Sequence, residues 1–167
     1  MLKIYQQKTL DVLTNYLHRC TIYKDVSRAY HEITLEEFKQ EGVYNDAGFT
    51  NIPYVCLRLP TGGGKTILAS YSIPIVCKEL LARDFSLVIW LVPSNAILEQ
   101  TYNCLQDYNH HYRQVLNEYF NGSVEILKVE DARSITKGTL NTNTTIIIYT
   151  FAPWRRSEES RVGKECR

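Results

Sequence analysis

The stretch PYVCLRLPTGGGKTILASYSIP, at residues 53–74, decides the fold. Residues 54–59 are a short apolar run with one arginine, which predicts a β-strand. After the glycines, residues 65–83 read as a helix in which Pro74 removes one backbone donor, so a kink or break is expected near residues 72–73. The order strand, glycine-rich loop, helix is typical of a phosphate-binding loop.

The loop itself, PTGGGKT at residues 60–66, has the chemistry that a triphosphate requires. Glycines let the backbone turn tightly and aim N–H groups at phosphate oxygens, and the next helix adds its positive amino-terminal end. Lys65 is expected to neutralise the β- and γ-phosphates, and the Thr66 hydroxyl to bind Mg²⁺. Leu59 stands where the longer form of the motif has glycine, so the match is to the shorter P-T-G-x-G-K-T form. The residues expected to hold the phosphates are Thr61, Gly62, Gly63, Gly64, Lys65 and Thr66.

Helical patterns precede the loop. Residues 4–16 carry apolar side chains at helical spacing without proline or glycine, and this predicts an amphipathic helix that runs on past His18. Thr34 with a glutamate three positions later is a capping-box pattern, which predicts a short helix at residues 34–39. Residues 41–53 are rich in Gly, Asn and Asp and are expected to form a loop.

Strands and helices alternate after the loop. Residues 85–92 are almost continuously apolar, as in a parallel strand covered on both faces. Ser94 can cap a helix over residues 96–108, and two more β-branched stretches predict strands at residues 124–129 and 144–150. The pattern indicates an α/β fold built on a parallel sheet.

Composition limits the classes of function. Lys and Arg number 19 and Asp and Glu 18 in 167 residues, so any nucleic-acid contact must be local. No apolar run approaches the ~20 residues of a membrane span and no signal peptide begins the chain, so a cytoplasmic location is expected. The 5 cysteines lack metal-site spacing and are expected to be buried reduced thiols. His110 and His111 are expected to form a solvated helix end.

Three segments resemble superfamily 2 helicases, and among them the ATP-dependent motor of type III restriction enzymes and its DEAD/DEAH-box relatives. They are IYQQKTLDVL at residues 4–13, PYVCLRLPTGGGKT at residues 53–66 and WLVPSNAILEQT at residues 90–101. The resemblance implies a partial RecA-like P-loop NTPase domain with ATP and Mg²⁺ as cofactors. It implies DNA as a partner, bound through its backbone regardless of sequence, and also a modification or nuclease subunit but no membrane.

The resemblance also implies roles for residues outside the phosphate loop. Gln6, with Gln7 as the alternative, matches a glutamine that recognises adenine, because an amide offers both a donor and an acceptor to the adenine edge. A solvated polar residue on the first helix is the other interpretation. Pro93, Ser94 and Asn95 match a turn that contacts the DNA backbone, and they also suit an ordinary turn that begins a helix.

The resemblance divides the chain into three parts. Residues 1–52 are an amino-terminal helical segment with the glutamine motif, and residues 53–155 an incomplete first RecA-like ATP-binding domain. Residues 156–167, RSEESRVGKECR, resemble a translated sequencing adapter and are expected not to be native. Such a partial sheet should expose apolar surface.

The parent protein is expected to be an ATP-hydrolysing DNA helicase or translocase, with or without an endonuclease. The acidic Mg²⁺ motif that should follow residues 144–150 is absent from the chain, so this chain is expected not to hydrolyse ATP at a motor's rate. Two alternatives stay open at this point. One is a P-loop NTPase of another class, such as an AAA+ protein or a small-molecule kinase, and the other is an inactive truncated product.

Overall fold

The computed structural model describes residues 2–46 and 48–151. The chain divides into two compact units, Met1–Asp84 and Phe85–Arg167. Helices combine with a parallel sheet, so the predicted α/β class is confirmed, and the arrangement is consistent with a partial RecA-like domain with amino-terminal helices. The segment 156–167, expected to be adapter-derived, lies outside the described residues.

The first unit is helical in the part of it that the structure describes. Its helices are α1 (Ile4–Tyr23), α2 (Val26–Phe38) and α3 (Lys65–Val76), and α3 continues into a π-helical turn at Cys77–Leu81. The helix predicted from residue 4 is therefore confirmed, and it does run past His18.

A hydrophobic core joins α1 and α2. Each helix contributes apolar side chains three or four positions apart, which places them on one face. Burying a leucine, isoleucine or valine side chain contributes roughly 1.5–3 kcal/mol. The core residues are Leu13, Tyr16, Leu17 and Cys20 of α1 with Val26, Ala29 and Ile33 of α2.

The start of the short helix predicted at residues 34–39 is wrong. Helix α2 already begins after Asp25, whose side chain caps its first turn. Thr34 lies inside the helix, where its hydroxyl donates to Tyr30 O at 2.9 Å and accepts from Gly42 N at 2.9 Å. Thr34 therefore fixes the chain that follows α2 and does not begin a helix.

The strand predicted at residues 54–59 is also wrong. These residues have no regular secondary structure, although Val55 packs partly against the α1–α2 core. A strand needs a neighbouring strand to satisfy its backbone N–H and C=O groups. No strand is present in the described part of the first unit, so the apolar run has no such neighbour there.

The kink or break expected near residues 72–73 is wrong. Helix α3 continues through Pro74 to Val76 and only then changes to the π-helical turn. At the junction Cys77 N donates to both Ile73 O and Pro74 O. Pro74 has no backbone N–H to donate within the helix, and the wider π-helical turn begins three residues after it.

The second unit contains a parallel three-stranded sheet in the order β1-β3-β2. The strands β1 (Leu87–Val92), β2 (Val124–Lys128) and β3 (Thr144–Thr150) confirm the three strand predictions for this part of the chain. In the central strand, Ile146 and Ile148 are fully buried. The register pairs Leu87 with Thr145 and Val124 with Thr144.

Helices of the second unit flank this sheet. They are α4 (Asn95–Gln106), α5 (His111–Phe120) and the short α6 (Lys137–Thr142), with a 3-10 helix at Val129–Ser134. Helix α4, which confirms the helix predicted over residues 96–108, contacts all three strands. Its buried side chains are Leu98, Thr101 and Leu105.

Strand β1 is not covered on both faces, contrary to the prediction. Leu87, Ile89 and Leu91 alternate along one face and expose 48%, 63% and 55% of their surface. On the other face Val92 is buried. The continuous apolar sequence therefore leaves one face of this strand with exposed apolar surface, as expected for a partial sheet.

Thiols and histidines follow the predictions in part. In the part of the chain that the structure describes, the cysteines form no disulfide. Cys20 and Cys77 are buried as expected, but Cys104 is only partly buried and Cys56 is exposed, so burial was wrongly expected at Cys56. His110 lies at a helix end as predicted, with Nδ1 accepting from Tyr112 N at 3.3 Å at the start of α5. Within residues 2–46 and 48–151, no helix combines the length and the apolar character needed to cross a membrane.

Candidate nucleotide-binding site

The phosphate loop is a tight turn that leads directly into α3. Gly63 N donates to Pro60 O at 3.0 Å and closes the turn. Gly62 has φ of +74° and Gly64, the residue that caps α3, has φ of +82°. Side chains disfavour this left-handed region, so the two glycines are what allow the backbone to take this path.

The amino terminus of α3 faces the loop without a side-chain cap. The first N–H groups of a helix have no acceptor within it, and Gly64 has no side chain to supply one. The first helical bond is that from Leu68 N to Gly64 O, at 3.1 Å. The N–H groups of Lys65 and Thr66 precede this bond and have no acceptor within the helix. Together with the positive end of the helix dipole, they form a favourable site for an anion.

Lys65 is exposed, and its side chain folds back towards the phosphate loop. Its Nζ donates to Pro60 O at 3.1 Å, the same carbonyl that accepts from Gly63 N. A phosphate oxygen would be a stronger acceptor for an ammonium group than a backbone carbonyl, because both partners are then charged. The Lys65 ammonium group therefore lies at the loop, where its observed acceptor is a neutral carbonyl and not a carboxylate.

Thr66 is the residue predicted to bind magnesium through its hydroxyl. It is half-buried in the first turn of α3, and within the described residues its hydroxyl makes no hydrogen bond. Mg²⁺ takes oxygen ligands and is commonly bound by few protein groups together with substrate phosphates and water. The described residues hold no cluster of three or more His, Cys, Asp or Glu that could bind a metal.

Helix α1 brings Gln6 against the loop. Gln6 exposes only 6% of its surface; its Nε2 donates to Gly63 O at 2.9 Å, and its Oε1 accepts from Lys3 N at 2.9 Å. Gln7 is exposed and its amide bonds instead to Asp11 Oδ1 at 2.9 Å. Of the two candidate glutamines, Gln6 is the one that lies at the phosphate loop.

A second side chain of α1 reaches the same carbonyl. The Tyr5 hydroxyl donates to Gly63 O at 3.1 Å. Sequence reasoning missed this contact, because nothing local to Tyr5 identifies a partner 58 positions away. The packing is close: a Cβ on Gly64 would collide with Gln6 Nε2 and would lie 2.9 Å from the side chain of Ile67. Glycine is therefore required at position 64 for space as well as for its backbone angle.

The residues predicted to contact DNA lie in the second unit. Ser94 caps α4, with its hydroxyl accepting from Ile97 N at 3.4 Å, so the predicted helix-initiating turn is confirmed. Pro93 and Asn95 beside it are exposed. Their contact with DNA stays a prediction.

Comparison with known proteins assigns the family. The family model described as "Type III restriction enzyme, res subunit" matches residues 2–161, which is nearly the whole chain. The match extends into the first residues of segment 156–167. No curated protein and no solved structure matches the chain. A domain of this family is helicase-like and binds ATP, in keeping with the loop and helix just described. The chain therefore belongs to the family of type III restriction enzyme res subunits.

Proposed function

We propose that the chain binds ATP with Mg²⁺ as part of a superfamily 2 motor that moves along DNA. The observation that carries the proposal is the loop at residues 60–66. Its glycines adopt left-handed backbone angles directly before an uncapped helix start, and Lys65 reaches into it. Together these features make a site for a polyphosphate.

Gln6 supports adenine as the base. An amide side chain has two N–H donors and a carbonyl oxygen with two lone pairs. One donor is used by Gly63 O and one lone pair by Lys3 N. One donor and one lone pair remain, which is the combination that the N7 and N6 edge of adenine needs. Gln7 has no such position beside the loop and remains the weaker alternative.

The β- and γ-phosphates and the Mg²⁺ ion each have a proposed partner in the protein. Lys65 would leave Pro60 O and neutralise the β- and γ-phosphates, and the Thr66 hydroxyl would bind Mg²⁺. Mg²⁺ held there would neutralise part of the phosphate charge. The chain's own residues would orient the phosphates through the backbone N–H groups of Thr61, Gly62 and Gly64 and those of Lys65 and Thr66 at the start of α3. Gly63 belongs to the loop through its turn, because its N–H is bonded to Pro60 O.

For DNA, the proposed contact is the start of α4. Free N–H groups at a helix start and the exposed side chain of Asn95 suit phosphate oxygens, which are the same in every sequence. The near balance of positive and negative residues in the chain agrees with such a local contact. The family also makes a modification subunit a proposed partner of the parent protein.

The arrangement of domains belongs to the proposal. Residues 1–52 would supply the glutamine motif and residues 53–155 the ATP-binding part of a first RecA-like domain. The contacts of Tyr5 and Gln6 with Gly63 favour this assignment over a kinase or an AAA+ protein, because Gln6, the candidate for the glutamine motif, contacts the phosphate loop.

A titration with ATP tests the proposed function directly. Purified chain is expected to bind a fluorescent ATP analogue saturably, and more tightly with Mg²⁺ than with EDTA, because the metal offsets phosphate repulsion. Unlabelled ATP should displace the analogue better than GTP, whose base edge has an acceptor where adenine has a donor. Equal displacement by ATP and GTP would refute adenine recognition, and no saturable binding would refute the function.

Replacing Ser94 and Asn95 together with alanine is expected to weaken binding of single-stranded and duplex DNA by a similar factor for every sequence. Phosphate contacts are independent of sequence, so unrelated oligonucleotides should lose affinity alike, and the salt dependence of binding should stay as in the wild type because neither side chain is charged. Fluorescence anisotropy with two unrelated oligonucleotides at several salt concentrations measures both effects. Gln100→Ala, an exposed position on the same helix, serves as the control. A loss confined to one oligonucleotide would contradict the proposal.

A further inference from the structure

We propose that Tyr5 is a positioning residue of the phosphate loop. With Gln6, it holds the peptide between Gly63 and Gly64 in the orientation that presents the Gly64 N–H to a phosphate. This inference rests on the proposed binding of ATP. It adds a residue that neither the glutamine motif nor the loop motif contains.

The evidence is a shared acceptor. Gly63 O receives one hydrogen bond from the Tyr5 hydroxyl at 3.1 Å and another from Gln6 Nε2 at 2.9 Å. A backbone carbonyl has two lone pairs, so these two donors use its full capacity. Both come from the first turn of α1, a rigid element whose apolar face is fixed in the core with α2.

Fixing the oxygen also fixes the next N–H. In a planar trans peptide the C=O and the following N–H point in opposite directions. Since Gly63 O points to α1, the Gly64 N–H points away from α1. Gly64 is also the residue from which α3 begins, so this N–H lies next to the uncapped first turn of that helix.

This peptide needs to be held because both of its neighbours are glycine. Rotating it changes one backbone angle at Gly63 and one at Gly64, and neither residue has a Cβ that would oppose the rotation. A rotated peptide would direct a carbonyl oxygen, which carries partial negative charge, at the phosphate. Donors on α1 therefore reduce the cost of organising the loop when the nucleotide binds.

The hydroxyl is the part of Tyr5 that matters. Tyr5 exposes 39% of its surface, so its ring contributes little to the core and replacement by phenylalanine removes mainly the hydrogen bond. Gln6 still holds the carbonyl in that variant, so the loop loses one of two donors. One hydrogen bond contributes about 0.5–1.5 kcal/mol net, equivalent to roughly two- to twelvefold in affinity.

The test compares Tyr5→Phe with the wild-type chain by isothermal titration calorimetry, using ATP·Mg²⁺ and inorganic tripolyphosphate·Mg²⁺. The dissociation constants for both ligands are expected to rise by the same factor, about two- to twelvefold. Tripolyphosphate has no base, so a shared loss locates the effect at the phosphates. Tyr119→Phe, which removes an exposed hydroxyl in the second unit, should leave both constants unchanged.

Replacing Tyr5 with 4-aminophenylalanine restores a donor at the same place and is expected to recover most of the lost affinity, which a general loss of stability would not allow. Unchanged affinity of Tyr5→Phe for both ligands would overturn the inference, and so would weaker binding of ATP with unchanged binding of tripolyphosphate, since Tyr5 would then act on the nucleoside. If the wild-type chain bound neither ligand, the proposed function itself would fail.

Discussion

Lys65→Ala is expected to raise the dissociation constant for ATP·Mg²⁺ by at least about a hundredfold. A hydrogen bond between charged groups contributes roughly 1.5–3 kcal/mol, and Lys65 is proposed to make more than one with the β- and γ-phosphates. Two such bonds amount to about 3–6 kcal/mol, and each 1.4 kcal/mol is a factor of ten in affinity. Anisotropy of a labelled ATP analogue measures the change.

The substitution should affect binding without affecting folding. Lys65 is exposed, and its one observed bond is to Pro60 O, so the melting temperature should stay close to that of the wild type. Lys78→Ala removes the same charge from a side chain in the same unit that is 69% exposed, and it should bind ATP normally. Equal dissociation constants for Lys65→Ala and the wild type would show that the loop is not a phosphate site.

Local signals account for the part of the fold that could be predicted from sequence. The β-branched runs that became β2 and β3 and the helical spacing that became α1 lie within single windows of the chain. Each run therefore carries enough information to identify its own element. The cap at Ser94 belongs to the same class, because a capping side chain bonds to backbone only three residues away.

Non-local requirements explain the failures. Residues 54–59 have a strand-like composition, but a strand forms only where a second strand pairs with it, and a window of six residues cannot reveal the partner. At α2, both Asp25 and Thr34 offer cap chemistry, and only the packing of the α1–α2 core decides that the helix starts at the earlier one. The exposure of one face of β1 could not be predicted from its sequence either, because it depends on which elements pack against that face.

The same division between local signals and non-local contacts applies at the candidate site. The phosphate loop is contiguous, so its glycines, lysine and threonine can be identified together in the sequence. Gln6 was identified through resemblance, but its bond to Gly63 O could not be predicted from its neighbours, and that of Tyr5 was not anticipated. These contacts depend on how α1 packs in the first unit, which no local pattern encodes.

A buried arginine is another feature that the sequence did not indicate. Arg113, on α5, exposes 2% of its surface and contacts no carboxylate among the residues that the structure describes. Burial lowers the pKa of its guanidinium, and the group still stays charged at neutral pH because arginine is not deprotonated in proteins. Its donors reach Asn117 Oδ1 at 2.8 Å, Leu105 O at 3.2 Å and Val124 O at 2.9 Å. The guanidinium also lies 4.5 Å from the centre of the Tyr108 ring.

Arg113→Ala is therefore expected to lower the free energy of unfolding by roughly 2–5 kcal/mol. The substitution leaves two buried backbone carbonyls, at the end of α4 and the start of β2, without this donor, and each such loss costs about 1–3 kcal/mol. It also removes the packing of the long aliphatic stem. Urea denaturation followed by circular dichroism measures the change by linear extrapolation. Gln114→Ala, at the exposed neighbouring position on α5, should stay within about 0.5 kcal/mol of the wild type. If both variants unfolded at the wild-type midpoint, Arg113 would not be the link that joins α5 to α4 and β2.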